Sequence, residues 1–223
     1  MTAKDAFGLA LLDAAGGGAG RHRVERSDGA GEWRLASSYL SGREDWSPHV
    51  VEALDALTGR VLDVGCGAGR HATYLSARGC DVTGIDSSPV AVSICRERGI
   101  DAEVGRLGAW GTGGRESFDH VVLMGNNLGL LENAERAQGH LEWLAARCRR
   151  GATIVGEGLD VARTPGHPRG DVRLRVSFGA CQSDWFAYWL LSPDELATAV
   201  AATRWALTDV VGGIAFMAKL RLQ

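Results

Sequence analysis

Residues 61–70, Val61-Leu62-Asp63-Val64-Gly65-Cys66-Gly67-Ala68-Gly69-Arg70, carry an apolar strand into three alternate glycines immediately before a helix. Glycine lets such a turn be tight and lets the backbone approach a ligand, whose polar groups meet the free N–H groups at the helix start. Val82-Thr83-Gly84-Ile85-Asp86 is a second strand ending in an acid. It lies about 20 residues on, where a carboxylate accepts two hydrogen bonds from a ribose cis-diol. The third glycine separates two cofactor classes. A dinucleotide fingerprint, G-x-G-x-x-G, requires glycine where this chain has Arg70, whereas Gly65, Gly67 and Gly69 form G-x-G-x-G. That weakens the pyrophosphate reading. Asp63, inside a strand that reads as buried, needs hydrogen bonds from loop amides or from a ligand amine, directly or through water.

Outward from this loop, short apolar runs alternate with helical stretches: 60–64, a helix to 78, 81–85, a helix to 98, and 100–104. This is a βαβαβ pattern and implies parallel strands. A fourth strand is predicted at 120–124, a helix from the Asn133 cap to about 149, and a fifth strand at 152–156. Upstream, Ser47-Pro48 opens a helix with a cap and a proline at its first position, and Gly59 closes it. Downstream, 171–178 and 184–191 read as two strands joined by a short turn. Ser192-Pro193-Asp194-Glu195 is a capping box, and 206–211 with 214–222 form a hairpin across Gly212-Gly213. The first forty-odd residues show no core-forming periodicity: Gly16 to Gly20 is nearly all glycine and 21–29 is charged. The predicted organisation is a lid or cover segment at 1–46 and a single cofactor-binding domain at 47–223, with 158–191 as a substrate-cover insertion.

A chain of 223 residues suits one α/β domain with a cover. No stretch approaches the roughly 18 uninterrupted apolar residues of a membrane span, and the first fifteen residues lack the order of a secretory signal. A soluble, cytoplasmic protein with no membrane partner is expected. The five cysteines have no C-x-x-C spacing, so reduced and mostly buried thiols are expected rather than a disulfide framework or a zinc site. The net charge of −3 gives no general attraction for nucleic acid. Arg147, Arg149 and Arg150 read as the solvated end of a helix.

With these motifs in place the sequence resembles the class I S-adenosylmethionine (SAM)-dependent methyltransferases. The resemblance covers residues 60–223 and rests on Val61 to Gly69, Asp86, Ser87-Ser88-Pro89, Phe118-Asp119 and the C-terminal hairpin. It implies a Rossmann-like three-layer α/β/α sandwich, whose mostly parallel seven-stranded sheet ends in an antiparallel hairpin. It implies SAM as cofactor, with Asp63, Gly65, Cys66, Gly67 and Gly69 under its methionine part and Asp86 and Ser87 at its ribose. Many members place an acid after the third strand for the adenine amine. Here that place reads Gly105-Arg106-Leu107, leaving a Leu107 backbone amide and stacking on Trp110 as the alternatives. Met124, Gly125, Asn126 and Asn127 follow the fourth strand, where the resemblance implies a loop beside the methionine part. The Asn/Asp-Pro-Pro-aromatic motif of nucleic-acid base methylation is missing there, so the small-molecule branch is expected. Tyr39 and His71 are further candidate cofactor contacts.

Methyl transfer is an in-line displacement at an already activated carbon, so alignment and exclusion of water matter most and a base is optional. His71, at the start of the helix after the glycine loop, and Glu157 and Asp160, after the fifth strand, are the candidate acids and bases. No third ligand stands beside those acids, so no metal is expected. Trp33, Tyr39 and Trp46, with Trp185, Phe186, Tyr188 and Trp189, are the candidate walls of a small-molecule acceptor pocket. Arg173 and Arg175 share a strand face, solvated or meeting an anionic substrate. The sequence leaves open a SAM-using cyclase or lyase, a nicotinamide-dependent oxidoreductase and a non-catalytic SAM-binding protein. It also leaves open a monomer or a homodimer.

Overall fold

The computed structural model describes residues 4–111, 117–161 and 170–223. Residues 162–169, within the insertion expected at 158–191, lie outside the described residues. In chain order the elements are α1 (Ala6–Ala15), β1 (Arg21–Arg26), β2 (Gly31–Leu35), α2 (Pro48–Asp55), β3 (Arg60–Val64), α3 (Arg70–Ala77), β4 (Asp81–Asp86), α4 (Pro89–Glu97) and β5 (Asp101–Val104). They continue with β6 (Phe118–Leu123), α5 (Ala134–Ala145), β7 (Cys148–Leu159), β8 (Gly170–Phe178), β9 (Cys181–Gln182), β10 (Phe186–Leu190), α6 (Pro193–Ala201), β11 (Trp205–Gly212) and β12 (Ala215–Leu222).

Seven strands form the main sheet in the order β11-β12-β7-β6-β3-β4-β5. β3 to β7 are parallel, and β12 runs antiparallel to both of its neighbours. The strand order reverses at β3, which has β4 on one side and β6 on the other, so a crevice opens beyond its carboxyl end. Alternation along the strands makes the three layers. Leu62, Val121 and Ile154 pack with Leu141, Leu144 and Leu196 of α5 and α6, while Val61, Val122 and Val155 pack with Leu54, Leu75 and Val92 of α2, α3 and α4. Side chains of Ser47, Ser88, Asn133 and Ser192 accept amide hydrogens at four helix starts, as their residue types predict. Among the described residues no helix is long and apolar enough to cross a membrane.

One boundary differs from the sequence reading. α5 stops at Ala145 and β7 begins at Cys148, because Cys148 pairs with Phe118 at the foot of β6. Arg149 and Arg150 are therefore strand residues rather than a helix end. Arg149 pairs with Asp119 at 2.9 Å, and the Arg147 guanidinium lies 3.8 Å over Trp143.

The largest departure is the N-terminal segment. α1 buries Ala6, Ala10 and Leu11 completely, and it packs on Ala91 and Ile94 of α4 and on Ala68 of the glycine loop. Its inner face is mostly alanine and glycine, too weak an apolar contrast to register as a period. Asp5 caps α1 at the Gly8 amide, 3.0 Å, and accepts from the Ser88 hydroxyl at 2.8 Å and the Val90 amide at 3.1 Å. One carboxylate thus serves the positive ends of two helices. The hairpin that follows joins the inserted strands in a second, antiparallel sheet, ordered β10-β8-β1-β2 with β9 on β8.

Leu11→Ala should lower the unfolding free energy by about 2–5 kcal/mol in urea titration. A loss below about 0.5 kcal/mol, the range of ordinary surface substitutions, would mean that α1 is not part of the core.

Candidate functional site

A cavity of about 970 Å³ lies over the carboxyl ends of β3, β4 and β6, under the second sheet. Its floor begins with the glycine loop. Gly65, Gly67 and Gly69 all have left-handed backbone, φ +72°, +55° and +77°, a region that L side chains enter only with strain. Asn127 Nδ2 donates to the Val64 carbonyl at 3.0 Å and to that of Gly65 at 2.9 Å, fixing the loop from the far side of the crevice. A Cβ on Gly69 would stand 2.6 Å from Cys95 Sγ, whereas around Gly67 there is open space within 4 Å.

Asp86, at the end of β4, ties this loop to the next helix. One of its oxygens accepts from the Gly67 amide at 2.9 Å and the other from the Ser88 amide at 2.8 Å. Each oxygen keeps a second lone pair, and the residue lines the cavity beside Ser87. Burial raises its carboxyl pKa against the opposing amide bonds. Asp63 lies beneath the loop, buried and off the cavity wall, and its Oδ2 has no hydrogen-bond partner among the described residues. Burial first, then the charge of Asp86, pushes its pKa up to about 7, with Arg70 opposing.

Met124 to Asn127 form the opposite lip. Gly125 and Asn126 are left-handed, φ +71° and +67°. Glu157 accepts the Gly125 amide, and the half-buried Tyr188 donates its hydroxyl hydrogen to the Asn126 carbonyl at 2.6 Å. Arg106, Leu107 and Tyr39 also line the cavity, as do Cys66, His71, Met124 and the three residues after it.

The three expected acid–base residues are not brought together. Glu157 and Asp160 do not line the cavity: Glu157 is engaged by the lip, and Asp160 is buried off the wall. His71 does line it, with its ring 4.8 Å from that of Trp46. Burial, and then the charge of Arg70, bring its pKa down to about 3, so it is neutral and a weak proton acceptor.

The aromatic residues divide. Tyr39, Trp185, Phe186 and Tyr188 line the cavity. Trp110 does not: it is buried against Trp143 and donates to the Glu103 carboxylate at 2.9 Å, which removes it from adenine stacking. Trp33 is 58% exposed with Arg21 over its ring, Trp46 packs on Tyr74 and His71, and Trp189 belongs to the main core. Trp185 precedes β10 rather than sharing its face, and Arg175 stacks 4.6 Å from its centroid while pairing with Glu25 at 3.0 Å. Neither Arg173 nor Arg175 lines the cavity.

Sequence reasoning named Phe186 and Tyr188 of the roof but missed the residues of β1, β2 and β8 that complete it. Alternate residues of the second sheet face down: His22, Val24 and Arg26 on β1, Leu174 and Val176 on β8, and Phe186, Tyr188 and Leu190 on β10, with Glu32 and Arg34 of β2 at the polar edge. The only signal available was a period of two in a short charged stretch.

Residues 61–151 match a family model described as a methyltransferase domain. A ubiquinone biosynthesis O-methyltransferase of Alkalilimnicola ehrlichii is 36% identical over 89 residues, 37% of this chain and 36% of that protein. A trans-aconitate 2-methyltransferase of Mycobacterium tuberculosis is 47% identical over 53 residues, 23% of this chain and 20% of that one. The chain therefore spans well under half the length of either relative. Among solved structures, a SAM-dependent methyltransferase from Bacteroides fragilis, in complex with S-adenosyl-L-homocysteine, superposes with a TM-score of 0.88. It is 23% identical, over 100% of this chain and 96% of that one, a likeness of fold. Residues 61–151 are thus similar to a methyltransferase domain, and the whole chain shares the fold of a SAM-dependent methyltransferase, with the same region carrying the glycine loop and its acid.

Proposed function

We propose that this chain binds SAM in the cavity and moves its methyl group to an oxygen or nitrogen atom of a small-molecule acceptor lying under the second sheet. The observation that carries this reading is the left-handed glycine loop held to Asp86 at the point where the sheet order reverses. The donor set suits the group. Asp86 has lone pairs left for the ribose diol, the open space at Gly67 admits the ligand to the backbone, and the unpartnered Asp63 Oδ2, beneath the loop, offers an anion for the ammonium through water. Cys66, His71, Tyr39, Ser87 and Met124 to Asn127 complete the contacts, with Arg106 and Leu107 on the adenine side. The names of the two relatives, a ubiquinone biosynthesis O-methyltransferase and a trans-aconitate 2-methyltransferase, support an acceptor of that kind.

SAM supplies a methyl carbon already activated by a sulfonium. The chain's part is to hold that carbon in line with the acceptor and to keep water away. We read residues 1–46 as cover, 47–223 as the SAM-binding domain and 158–191 as its substrate-side insertion. In this reading Glu157 acts by fixing the lip through the Gly125 amide.

SAM at about 100 times its Kd should add about 2.7 kcal/mol to the unfolding free energy, and NAD should add nothing. Stabilisation by NAD alone would overturn the proposal. Asp86→Ala should abolish most of the SAM effect, so an undiminished effect would remove the ribose role. Proton release gives a second check. An ammonium near Asp63 favours its carboxylate, so a pKa of about 7 in the free protein must fall on binding. SAM affinity should rise between about pH 5.5 and 7, with a proton released. Calorimetry in buffers of different ionisation enthalpy would show it, and Asp63→Asn should remove it. Binding without proton release in the native chain would exclude this role of Asp63.

A further inference from the structure

His22, on β1, is fully buried and lines the cavity. Its Nδ1 lies 2.9 Å from the Gly20 carbonyl oxygen. A carbonyl only accepts, so Nδ1 carries the ring hydrogen and Nε2 is left with its lone pair. Nε2 has no hydrogen-bond partner among the described residues. A buried acceptor without a donor is a standing loss of stability, and such groups persist where a ligand brings the donor. Phe7 of α1 and Tyr39 flank the ring, with centroids 5.8 and 6.2 Å away. Arg34 is its cross-strand partner on β2. Burial lowers the imidazole pKa, the Gly20 bond opposes this, and the Arg34 charge adds to it.

The roof around His22 is graded. On the β8 and β10 side it presents Leu174, Val176, Phe186 and Leu190; on the β1 and β2 side Arg34, the cross-strand partner of His22, is paired with Glu32 and lies 3.4 Å from the Tyr39 hydroxyl. The apolar side of the roof makes burying a charged ammonium costly and suits an uncharged hydroxyl.

We propose that His22 Nε2 accepts the hydroxyl hydrogen of an uncharged acceptor with an aromatic or otherwise apolar body, which lies against the apolar part of the roof. This rests on the methyl-transfer reading and narrows its acceptor to an alcohol of phenolic type. The hydroxyl oxygen forms its bond to the methyl carbon as the carbon–sulfur bond breaks and its electron pair passes to sulfur. The hydroxyl proton passes to Nε2. The products are a methyl ether, a thioether and an imidazolium, which returns its proton to water.

The test is binding to the protein saturated with S-adenosylhomocysteine, measured by calorimetry for naphthol, its methyl ether and naphthylmethylamine. Naphthol should bind about tenfold or more tightly than the ether, the scale of one hydrogen bond. In His22→Phe that preference should fall below about twofold, with the ether unaffected. His22→Asn retains an amide able to donate to Gly20 but lacks Nε2, and should behave in the same way at an unchanged melting temperature. Nitrogen NMR of the free protein should show Nε2 unprotonated at neutral pH. No preference in the native chain, a preference that survives both substitutions, tighter binding of the amine, binding of none of the three, or a protonated Nε2 would each overturn the proposal. Failure to bind S-adenosylhomocysteine would overturn the cofactor reading instead.

Discussion

Two backbone amides, those of Gly67 and Ser88, close on the single carboxylate of Asp86, and the site is arranged around that grip. The Gly67 amide is free to turn toward Asp86 only because the loop is left-handed at three glycines. The Ser88 amide is in reach because the next helix starts directly after β4, where its first N–H groups have no intrahelical partner. Ser88 in turn caps α4 with its hydroxyl oxygen and donates its hydroxyl hydrogen to Asp5. The chain from glycine loop to N-terminal helix is therefore one hydrogen-bonded series with Asp86 near its centre.

Charge gives the site its bias. Asp63 and Asp86 are both acids in poorly solvated positions, and each is held above the ordinary carboxylate range, mainly by burial. Two acids raised in this way are a cost to the free protein, and a cationic ligand offsets it by stabilising their ionised forms. Arg70 opposes the shift at Asp63, yet its Nη1 is engaged by the Ser38 carbonyl at 2.8 Å. The Asp63 carboxylate lies below the loop that the sulfonium and ammonium of SAM would overlie.

The cover is continuous with the floor rather than hinged onto it. α1 packs against Ala68 of the glycine loop, and the strand that follows it forms the centre of the roof between β2 and β8. Glu25 and Arg175, 150 residues apart, meet across that junction. Any movement of the roof is thereby coupled to the cofactor loop, which suits a reaction needing water excluded around an activated carbon.

By itself the sequence determined the parts governed by local rules: the alternating strands and helices, the serine and asparagine caps, the glycine loop, the Asp86 that closes it and the terminal hairpin. Each depends on residues within a few positions of one another, where backbone sterics and unpaired amides leave little choice. Only the tertiary structure decided the rest. β1 pairs with β8 across about 150 residues of chain, and nothing in a charged stretch such as Arg21 to Arg26 names its partner. Trp110 and Trp33 have the same side chain as Trp185, yet one lies in the core and one in solvent, because burial is set by what packs above a residue and not by its type. Glu157 read as a base until the Gly125 amide occupied it, and His22 acquired significance only when folding left its Nε2 without a donor.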